Sequence, residues 1–599
     1  MRRYAILGLP IALLIIVQVA IAVLDDNAPL RHGALAGVDG YMRLVRVEAL
    51  FETGDWYDNF ADRSNVPWGD DQHWTRPFDV LLLTGAVLLK AMMGFEAGLF
   101  WSGVLISPLL HIAALLALMW AARPLFDTRG LFYLGMLAVP QPAVLIYFAA
   151  GRPDHHSLLG LLFVLVLGFL TRLLTGRFDT GLAIGAGLAA AAILWVSVEG
   201  MLTVGIAVAA LGIAWIAWRE TFADKNLVFS TALIGGLVLA LLAERQWSDI
   251  GAIAYDRLSI VHIPVFGTLA VFWLIAGLID RHGSLCDTLR ARALVAFAGA
   301  VAALLLIWRL FPSFLAGPFA AVDPRIDALI LDSIAELQPL VDPANMKGSL
   351  IRITLFVGPA LVAVPALALF LRRRADANWR AWTGIAIALA VFLPLAVYQV
   401  RWASYVEFLA VIPYAAVLLH LLGRIETRPA LRALTTIGFA VGFMVVAVAL
   451  SLASPKSKSR HAASCPLTAM AVHLADTRAF GPDPRRIMSF AFFGTELLYR
   501  TPHAVVGTSF HYATEGLRDT YDFFTATDDR VARRILAVRG IDLVLICPAA
   551  AEAALYRAAP GGGATLLDRI EAGAPPAWLA PVMLPSALAP DFLLFTPAR

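Results

Sequence analysis

Two short motifs combine carboxylates, histidine and glycine in a pattern that suits metal binding. They are Val38-Asp39-Gly40-Tyr41 and Gly151-Arg152-Pro153-Asp154-His155-His156. A carboxylate held beside a glycine turn can coordinate a divalent cation or accept a proton from an acceptor group. Asp154 and His156 are two residues apart in a predicted turn, so both can face one ion, and their oxygen and nitrogen ligands suit Mn²⁺. Taken singly, Asp39 also fits a solvated loop acid, and Asp154 also fits a helix N-cap.

A third acidic motif and a single arginine add groups that suit a phosphate-linked substrate. The motif runs from Asp332 to Pro339 and contains Glu336 and Gln338. Arg401 follows an apolar segment, and a guanidinium fixed at a membrane surface suits bidentate binding of a phosphate. An exposed amphipathic helix stopped by Pro339 is the alternative for the motif, and interfacial snorkelling is the alternative for Arg401.

Composition places these motifs in a membrane protein. The chain has 599 residues, 60% of them hydrophobic and 15% charged, and its mean hydropathy is +0.75. Apolar runs of about 20 residues, long enough to cross a bilayer as helices, recur from Tyr4 to about Ser454. The first run, Tyr4 to Leu24, is long for a signal peptide and lacks a clear cleavage site, so we expect it to remain as a span. From Lys456 onwards, mixed charge, turns and short β-branched runs predict a small water-exposed domain.

The distribution of lysine and arginine among the loops determines the predicted topology. If all of the roughly fourteen apolar segments spanned, the basic loops would lie outside, contrary to the positive-inside rule. If Asp79 to Phe95 is instead a helix that lies on or dips into the outer surface, every basic loop moves to the cytoplasmic side. We choose this segment because it is short and begins with a charged residue. About thirteen spans remain, with a cytoplasmic N-terminus and an extracytoplasmic tail. The basic loops are 123–129, 172–177, 219–225, 281–292, 372–380 and 424–432.

The predicted architecture is an α-helical polytopic membrane domain, residues 1–454, followed by a soluble extracytoplasmic α/β domain, residues 455–599. We expect the chain in the inner (plasma) membrane. Long outer loops at 25–79 and 311–349 lie on the same side as the turn at 151–156, and loops of this size usually carry function. Cys465 and Cys547 both fall in the tail, where an extracytoplasmic disulfide and a chance pairing of positions are equal alternatives.

This topology brings the separate motifs to one membrane level and one compartment. A cluster of carboxylates, histidine and arginine at the interface suits a polyprenyl-(pyro)phosphate sugar donor. A metal neutralises the charge of the leaving phosphate, the arginine supplements it, and an acid positions or deprotonates the acceptor. Nothing supports a nucleic-acid partner. Further candidates for substrate binding on this side are Tyr41, His73, Arg76, His155 and Gln338.

The same motifs resemble those of the GT-C glycosyltransferases and, within them, the oligosaccharyltransferase catalytic subunits. Asp39-Gly40-Tyr41 resembles the family's first-loop acidic motif, and Gly151 to His156 resembles its second, in the D-H-H form. Ser333 to Pro339 resembles the S-V-S-E-H-Q-P motif, with Leu337 at the histidine position. Arg401 matches the family's arginine before the twelfth span.

The resemblance implies a GT-C membrane fold and a role for each of these residues. Asp39, Asp154 and His156 would bind a divalent metal, Mn²⁺ or Mg²⁺. Glu336 would assist at the metal and the acceptor, and Arg401 would hold the donor phosphate. The catalytic acids would then be Asp39, Asp154 and Glu336.

The tail leaves the acceptor open. The family recognises its Asn-X-Ser/Thr acceptor partly through a W-W-D-Y-G motif, and the nearest counterpart, Phe490 to Gly494, lacks the tryptophan pair and the aspartate. We therefore expect a glycosyltransferase that moves a glycan or sugar from a polyprenyl-linked donor to an extracytoplasmic acceptor, a protein or another molecule. A transporter or flippase of lipid-linked saccharides is the alternative, although it should carry mid-membrane charges and inverted repeats. An acid at each of three motifs disfavours a non-catalytic scaffold.

Overall fold

A computed structural model describes most of the chain. The described residues are 2–24, 29–282, 285–317, 334–373, 378–452, 465–560 and 563–598. Asp332 and Ser333 of the third acidic motif lie outside these ranges, and so does the predicted domain boundary between residues 454 and 455.

Long apolar helices dominate residues 2–452. Ten helices of the described chain are long and apolar enough to cross a membrane, and two shorter apolar segments, Gly8–Leu24 and Thr180–Val196, accompany them. These are twelve candidate segments among the described residues, and one broken helix is not among them. The predicted number of about thirteen spans stays a prediction. In chain order the helices are α1 (Arg2–Leu24), α2 (Pro29–His32), α3 (Val38–Thr53), α4 (Arg76–Met93), α5 (Phe95–Ala121), α6 (Thr128–Ala138), α7 (Pro142–Tyr147), α8 (His156–Thr175), α9 (Thr180–Val196), α10 (Gly200–Trp218), α11 (Phe222–Glu244), α12 (His262–His282), α13 (Leu289–Leu310), α14 (Met346–Arg373), α15 (Trp379–Tyr398), α16 (Ala403–Arg424) and α17 (Pro429–Leu452).

The broken helix consists of α6 and α7. Asp127 caps the start of α6, where its carboxylate accepts a hydrogen bond from the backbone N–H of Gly130 at 2.8 Å. Pro140 and Pro142 then interrupt the helix, because proline has no N–H to donate and its ring clashes with the preceding turn. The chain resumes as α7, whose first backbone N–H groups have no partner within their own helix.

The helix α4 covers most of the segment that the sequence assigns to the outer surface. It is not among the ten long apolar helices of the described residues. Ion pairs hold its first turn in place. The Asp79 carboxylate pairs with Arg43 at 3.0 Å, Arg46 at 2.8 Å and Arg76 at 3.3 Å, and all four side chains are buried. This ion-pair cluster joins α4 to α3. The position of α4 on the outer surface remains a prediction.

The tail is a small α/β unit. Its sheet has the order β4-β3-β5-β7-β6, with β3 parallel to β4 and β5, and β7 antiparallel to β5 and β6. A disulfide joins Cys465, near the start of the tail, to Cys547 at the end of β5. The strands are β1 (Phe60–Ala61) and β2 (Asp70–Asp71), a separate antiparallel pair in the first loop, then β3 (Arg486–Ser489), β4 (Ala504–Val505), β5 (Leu543–Ile546), β6 (Leu579–Pro581) and β7 (Leu593–Pro597). The helices are α18 (Leu467–Leu474), α19 (Thr477–Phe480), α20 (Ala491–Arg500), α21 (Thr514–Thr525), α22 (Asp529–Arg539), α23 (Ala553–Arg557) and α24 (Leu566–Glu571).

The core of the tail includes residues from the first outer loop. Met42, Val66 and Trp74 are buried in the same apolar cluster as the tail strands. Arg539 of α22, fully buried, donates to the Val66 carbonyl at 2.7 Å and pairs with Asp519 at 2.7 Å. The first loop and the tail therefore form one packed structure, which the sequence analysis did not predict.

Candidate active site

One cavity of about 660 Å³ is lined by all three predicted acids. Asp39 comes from the first turn of α3 and Asp154 from the turn before α8. Glu336 comes from a short 3₁₀ turn, Ala335–Leu337, in the loop at 311–349 that the sequence predicts on the outer side. Gln338 lines the same cavity. Apolar side chains of the lining include Ala143, Ile146, Phe356, Val400 and Phe492.

Glycines allow the first two motifs to meet. Gly37, immediately before α3, has a φ of 83°, a left-handed conformation that favours glycine. A Cβ atom on Gly40 would lie 3.0 Å from Cγ and Cδ of Pro153. The absence of a side chain at Gly40 therefore lets the first turn of α3 contact the turn that carries Asp154.

Asp154 lies between two imidazoles. Its Oδ1 is 2.8 Å from His155 Nδ1, its Oδ2 is 2.8 Å from His156 Nδ1, and Arg152 Nη2 is 3.5 Å from Oδ2. Burial alone would raise the pKa of Asp154, but His156 and His155 hold that pKa well below its usual value. The carboxylate therefore keeps its charge in a buried position.

The residues around Asp154 fit a divalent metal. Ligand atoms of Asp154, His155 and His156 all lie within 4.8 Å of one another, and a carboxylate with two imidazoles is a suitable donor set for a first-row transition metal. Asp39 offers a second carboxylate to the cavity. Burial, together with the negative charges of Asp154 and Glu336, raises the pKa of Asp39 to about 7. A bound cation would reverse this electrostatic effect.

Glu336 is held by two side chains from the second motif and the helix before it. Tyr147 Oη donates a hydrogen bond to Glu336 Oε2 at 3.1 Å, and Arg152 Nη2 lies 3.4 Å from the same oxygen. The backbone N–H of Val400 donates to the Gln338 carbonyl at 2.9 Å. These contacts attach the third motif to the other two.

Arg401 lies behind the Asp154–His156 pair and contacts an acid that sequence reasoning missed. It forms a salt bridge with Glu199, and its Nη2 donates to His156 Nε2 at 3.1 Å. Glu199 Oε2 is 3.8 Å from His156 Nε2. The sequence feature that could have indicated this residue is its position: Glu199 is an acid in the three-residue connection between α9 and α10, on the predicted outer side. Arg401 is not among the cavity-lining residues of the described chain, although its neighbour Val400 is.

Three of the predicted substrate-binding residues lie apart from this cavity. Tyr41 Oη accepts a hydrogen bond from Arg500 of the tail at 3.1 Å. The His73 ring stacks on Tyr512 of the tail with centroids 6.0 Å apart, and Arg76 pairs with Asp79. None of the three lines the cavity in the described chain, and their roles in substrate binding remain predictions.

The tail contributes directly to the cavity through Phe492 and Ser509. Phe492 lies in the first turn of α20, whose N-terminus is capped by Glu552. The carboxylate of Glu552 accepts hydrogen bonds from the backbone N–H groups of Ala491 and Phe492, each at 2.8 Å. The segment that replaces the W-W-D-Y-G motif is therefore an ordered, capped helix start beside the cavity.

A buried glutamate on α16 holds α7 in place. The Glu407 carboxylate accepts hydrogen bonds from the backbone N–H of Ala143 at 3.1 Å and of Val144 at 2.8 Å. These are the N–H groups that the break before α7 would otherwise leave unpaired. Because α7 carries Ala143, Ile146 and Tyr147 into the cavity wall, Glu407 positions one side of the site.

We expect Glu407→Ala to lower the free energy of unfolding by about 1–3 kcal/mol, because two buried N–H groups lose their acceptor. Glu407→Gln keeps one carbonyl oxygen and should lose less. Thermal unfolding of the detergent-purified variants measures the difference, with the exposed Glu96→Ala of α5 as a control. Equal melting temperatures for Glu407→Ala and the parent would rule out this capping role.

Comparison with known proteins finds similarity in structure. No protein-family model and no curated protein matches the sequence. The archaeal oligosaccharyltransferase AglB from Archaeoglobus fulgidus, in complex with an inhibitory peptide and a dolichol-phosphate, aligns with a TM-score of 0.70 at 15% identity, over 91% of this chain and 69% of that chain. The apo form of the oligosaccharyltransferase from that organism gives a TM-score of 0.72 at 15% identity, with the same coverages of 91% and 69%. Its complex with Zn and sulfate gives 0.63 at 14% identity, over 98% and 73%.

The chain therefore has the fold of an archaeal oligosaccharyltransferase. This confirms the predicted α-helical, polytopic fold with a small C-terminal α/β part, and the resemblance in fold to the oligosaccharyltransferase catalytic subunits. At a sequence identity this low, structural similarity establishes only the fold, and an argument about activity must come from the residues of the site.

Proposed function

We propose that the chain is a membrane glycosyltransferase that transfers a glycan or sugar from a polyprenyl-(pyro)phosphate donor to an acceptor on the non-cytoplasmic side. One observation carries the proposal: Asp39, Asp154 and Glu336, far apart in sequence, line one cavity beside two histidines. The AglB structure that contains a dolichol-phosphate supports a polyprenyl-linked donor.

Asp39, Asp154 and His156 would hold the divalent metal, Mn²⁺ or Mg²⁺, with His155 as a further ligand. Such an ion, when bound, neutralises charge on the departing phosphate. The complex of the Archaeoglobus protein with Zn supports a metal of this kind. Arg401 lies beside His156, with Nη2 3.1 Å from Nε2, and adds positive charge for the donor phosphate.

Glu336 faces the cavity with its carboxylate fixed by Tyr147 and Arg152, which suits it to orient the acceptor. Phe492 and Ser509 complete the wall from the tail, so the acceptor is bound between the two parts of the chain. Since the tryptophan pair and the aspartate of the W-W-D-Y-G motif are absent, an acceptor other than an Asn-X-Ser/Thr peptide is equally compatible with this wall.

The disulfide supports the proposed sidedness. Disulfides persist in oxidising compartments, and the Cys465–Cys547 bridge lies in the tail that packs against the first outer loop. The distribution of lysine and arginine among the loops supports the same sidedness. We therefore propose a multi-pass protein of the inner (plasma) membrane with its cavity facing the extracytoplasmic space.

The rival reading, a flippase of lipid-linked saccharides, predicts charged side chains along a path at mid-membrane. The acids of the described cavity come instead from the first turn of α3, the turn before α8 and a 3₁₀ turn. The buried Glu407 within α16 is occupied by two backbone N–H groups. This arrangement favours chemistry at one face over passage through the membrane.

The test uses the purified full-length protein in vesicles with a labelled polyprenyl-linked oligosaccharide extract. We expect the label to leave the lipid only when Mn²⁺ or Mg²⁺ is present, and EDTA to stop its release. If the label instead crosses the vesicle membrane while still attached to its lipid, the chain is a transporter and the proposal fails.

A further inference from the structure

We infer that Arg352 of α14 gives the phosphate of the lipid donor a guanidinium contact inside the cavity, in addition to the contact predicted for Arg401. This inference rests on the proposed function. Arg352 lines the cavity that contains the three acids, and the sequence analysis did not select it.

Arg352 differs from the other arginine of the cavity wall in having no acidic partner among the described residues. Arg152 lies within 3.5 Å of both Asp154 and Glu336. Arg352 Nε donates to the Leu340 carbonyl at 3.2 Å, but its Nη2 is buried and has no hydrogen-bond partner in the described chain. A buried donor without an acceptor is unfavourable, so this guanidinium is arranged for an acceptor that the described residues do not supply.

The charges of the wall indicate an anionic ligand. A divalent ion held by Asp39, Asp154 and His156 would offset the two aspartates, and Arg152 is already paired with Glu336. The positive charge of Arg352 then has no counterpart among the described residues. A phosphate monoester or diester supplies both the missing negative charge and a pair of oxygen acceptors for the planar guanidinium.

The apolar neighbours of Arg352 point to a phosphate that carries a lipid. Phe356 follows one turn later on α14 and lines the same cavity, as do Ile146 of α7 and Val400. Since α14 is one of the long apolar helices, Phe356 lies one turn further from its start than Arg352 does. A phosphate at Arg352 thus places an attached polyprenyl chain against apolar side chains.

Arg401 does not fill this role by itself. Its guanidinium is engaged by Glu199 and by His156 Nε2, and it is not among the cavity-lining residues of the described chain. Arg401 therefore acts near His156, whereas Arg352 belongs to the cavity wall and has a buried N–H group without a partner among the described residues.

The experiment measures binding rather than turnover. Full-length parent, Arg352→Ala, Arg352→Gln and Arg352→Lys are titrated in detergent with undecaprenyl phosphate, with the uncharged polyprenol, and with inorganic phosphate, using native mass spectrometry. Arg352→Gln keeps a donor for the Leu340 carbonyl, so it separates loss of charge from loss of that local contact. Arg309→Ala is the matched control, because Arg309 is an exposed arginine in the last turn of α13 and does not line the cavity.

We expect Arg352→Ala and Arg352→Gln to weaken binding of undecaprenyl phosphate by about tenfold or more, while polyprenol binding stays unchanged and Arg352→Lys keeps part of the affinity. Weak competition by inorganic phosphate in the parent, lost in Arg352→Gln, would further support the phosphate contact. Equal affinity of the parent and Arg352→Gln for undecaprenyl phosphate overturns the inference and leaves the proposed function intact. If the parent binds polyprenol and undecaprenyl phosphate equally well, both the inference and the proposed donor class fail.

Discussion

Replacing Asp154 with alanine is expected to lower the rate of sugar transfer by more than about a hundredfold. The Asp154 carboxylate lies 2.8 Å from the Nδ1 atoms of both His155 and His156, so the variant loses one proposed metal ligand and the group that orients two imidazoles. Removing only an outer-shell partner of a metal ligand already costs about ten- to a hundredfold in affinity or activity. Initial rates with a labelled polyprenyl-linked donor, at limiting and saturating Mn²⁺, measure the loss.

Asp55→Asn is the matched control for this variant. Asp55 is an exposed acid of the first outer loop that accepts a hydrogen bond from the Tyr57 backbone N–H and does not line the cavity. It should transfer sugar at the rate of the parent. Transfer by Asp154→Ala at the parental rate would show that the catalytic assignment is wrong, and an equal loss in Asp55→Asn would assign the effect to folding of the loop.

The second large effect, on the stability of the tail, is expected from removal of the disulfide. Cys465→Ser should lower the free energy of unfolding of the tail by about 2–4 kcal/mol, because a closed loop restricts the unfolded chain. The bridge joins positions 82 residues apart and connects the start of the tail to its central strand β5. Thermal unfolding with and without a reducing agent measures the effect. The reducing agent should destabilise the parent and leave Cys465→Ser unchanged.

Thiol labelling gives an independent check on the bridge. The chain has three cysteines, and Cys286, buried in the membrane part, is free. Denatured protein that has been prepared without reducing agent should therefore take up one alkyl group, and three after reduction. Cys286→Ser should take up none before reduction. Uptake of three groups without reduction is the result incompatible with both the disulfide and an oxidising location for the tail.

The spans were accessible to sequence analysis because crossing a bilayer demands long apolar helices, which hydropathy detects directly. We predicted the meeting of Asp39, Asp154 and Glu336 from sidedness, because the loop charges predict one face for their three motifs. Glu199 was missed for a physical reason: its connection has only three residues, so it resembles a turn without a motif. Arg352 was missed because it lies within an apolar helix, where an arginine near the end is usually explained by snorkelling.

The contacts of a polar residue, which residue type alone does not predict, determine its role in the structure. Arg76 and His73 stand in the same polar stretch of the first loop, and both are reasonable ligand-binding residues by type. The structure uses Arg76 in an ion pair with Asp79 and places His73 against Tyr512, more than 400 residues later in the chain. Contacts of that sequence separation have no local pattern, so they were not predictable from a single sequence.

The shared core of the first loop and the tail sets an order of events during synthesis. Met42, Val66 and Trp74 are made before almost all of the membrane helices, yet their packing partners in β3, β5 and β7 are made after them. The first loop therefore stays without these partners until the tail strands have been made, and Phe492 and Ser509 reach the cavity only then. A product that stops before the tail has no complete cavity.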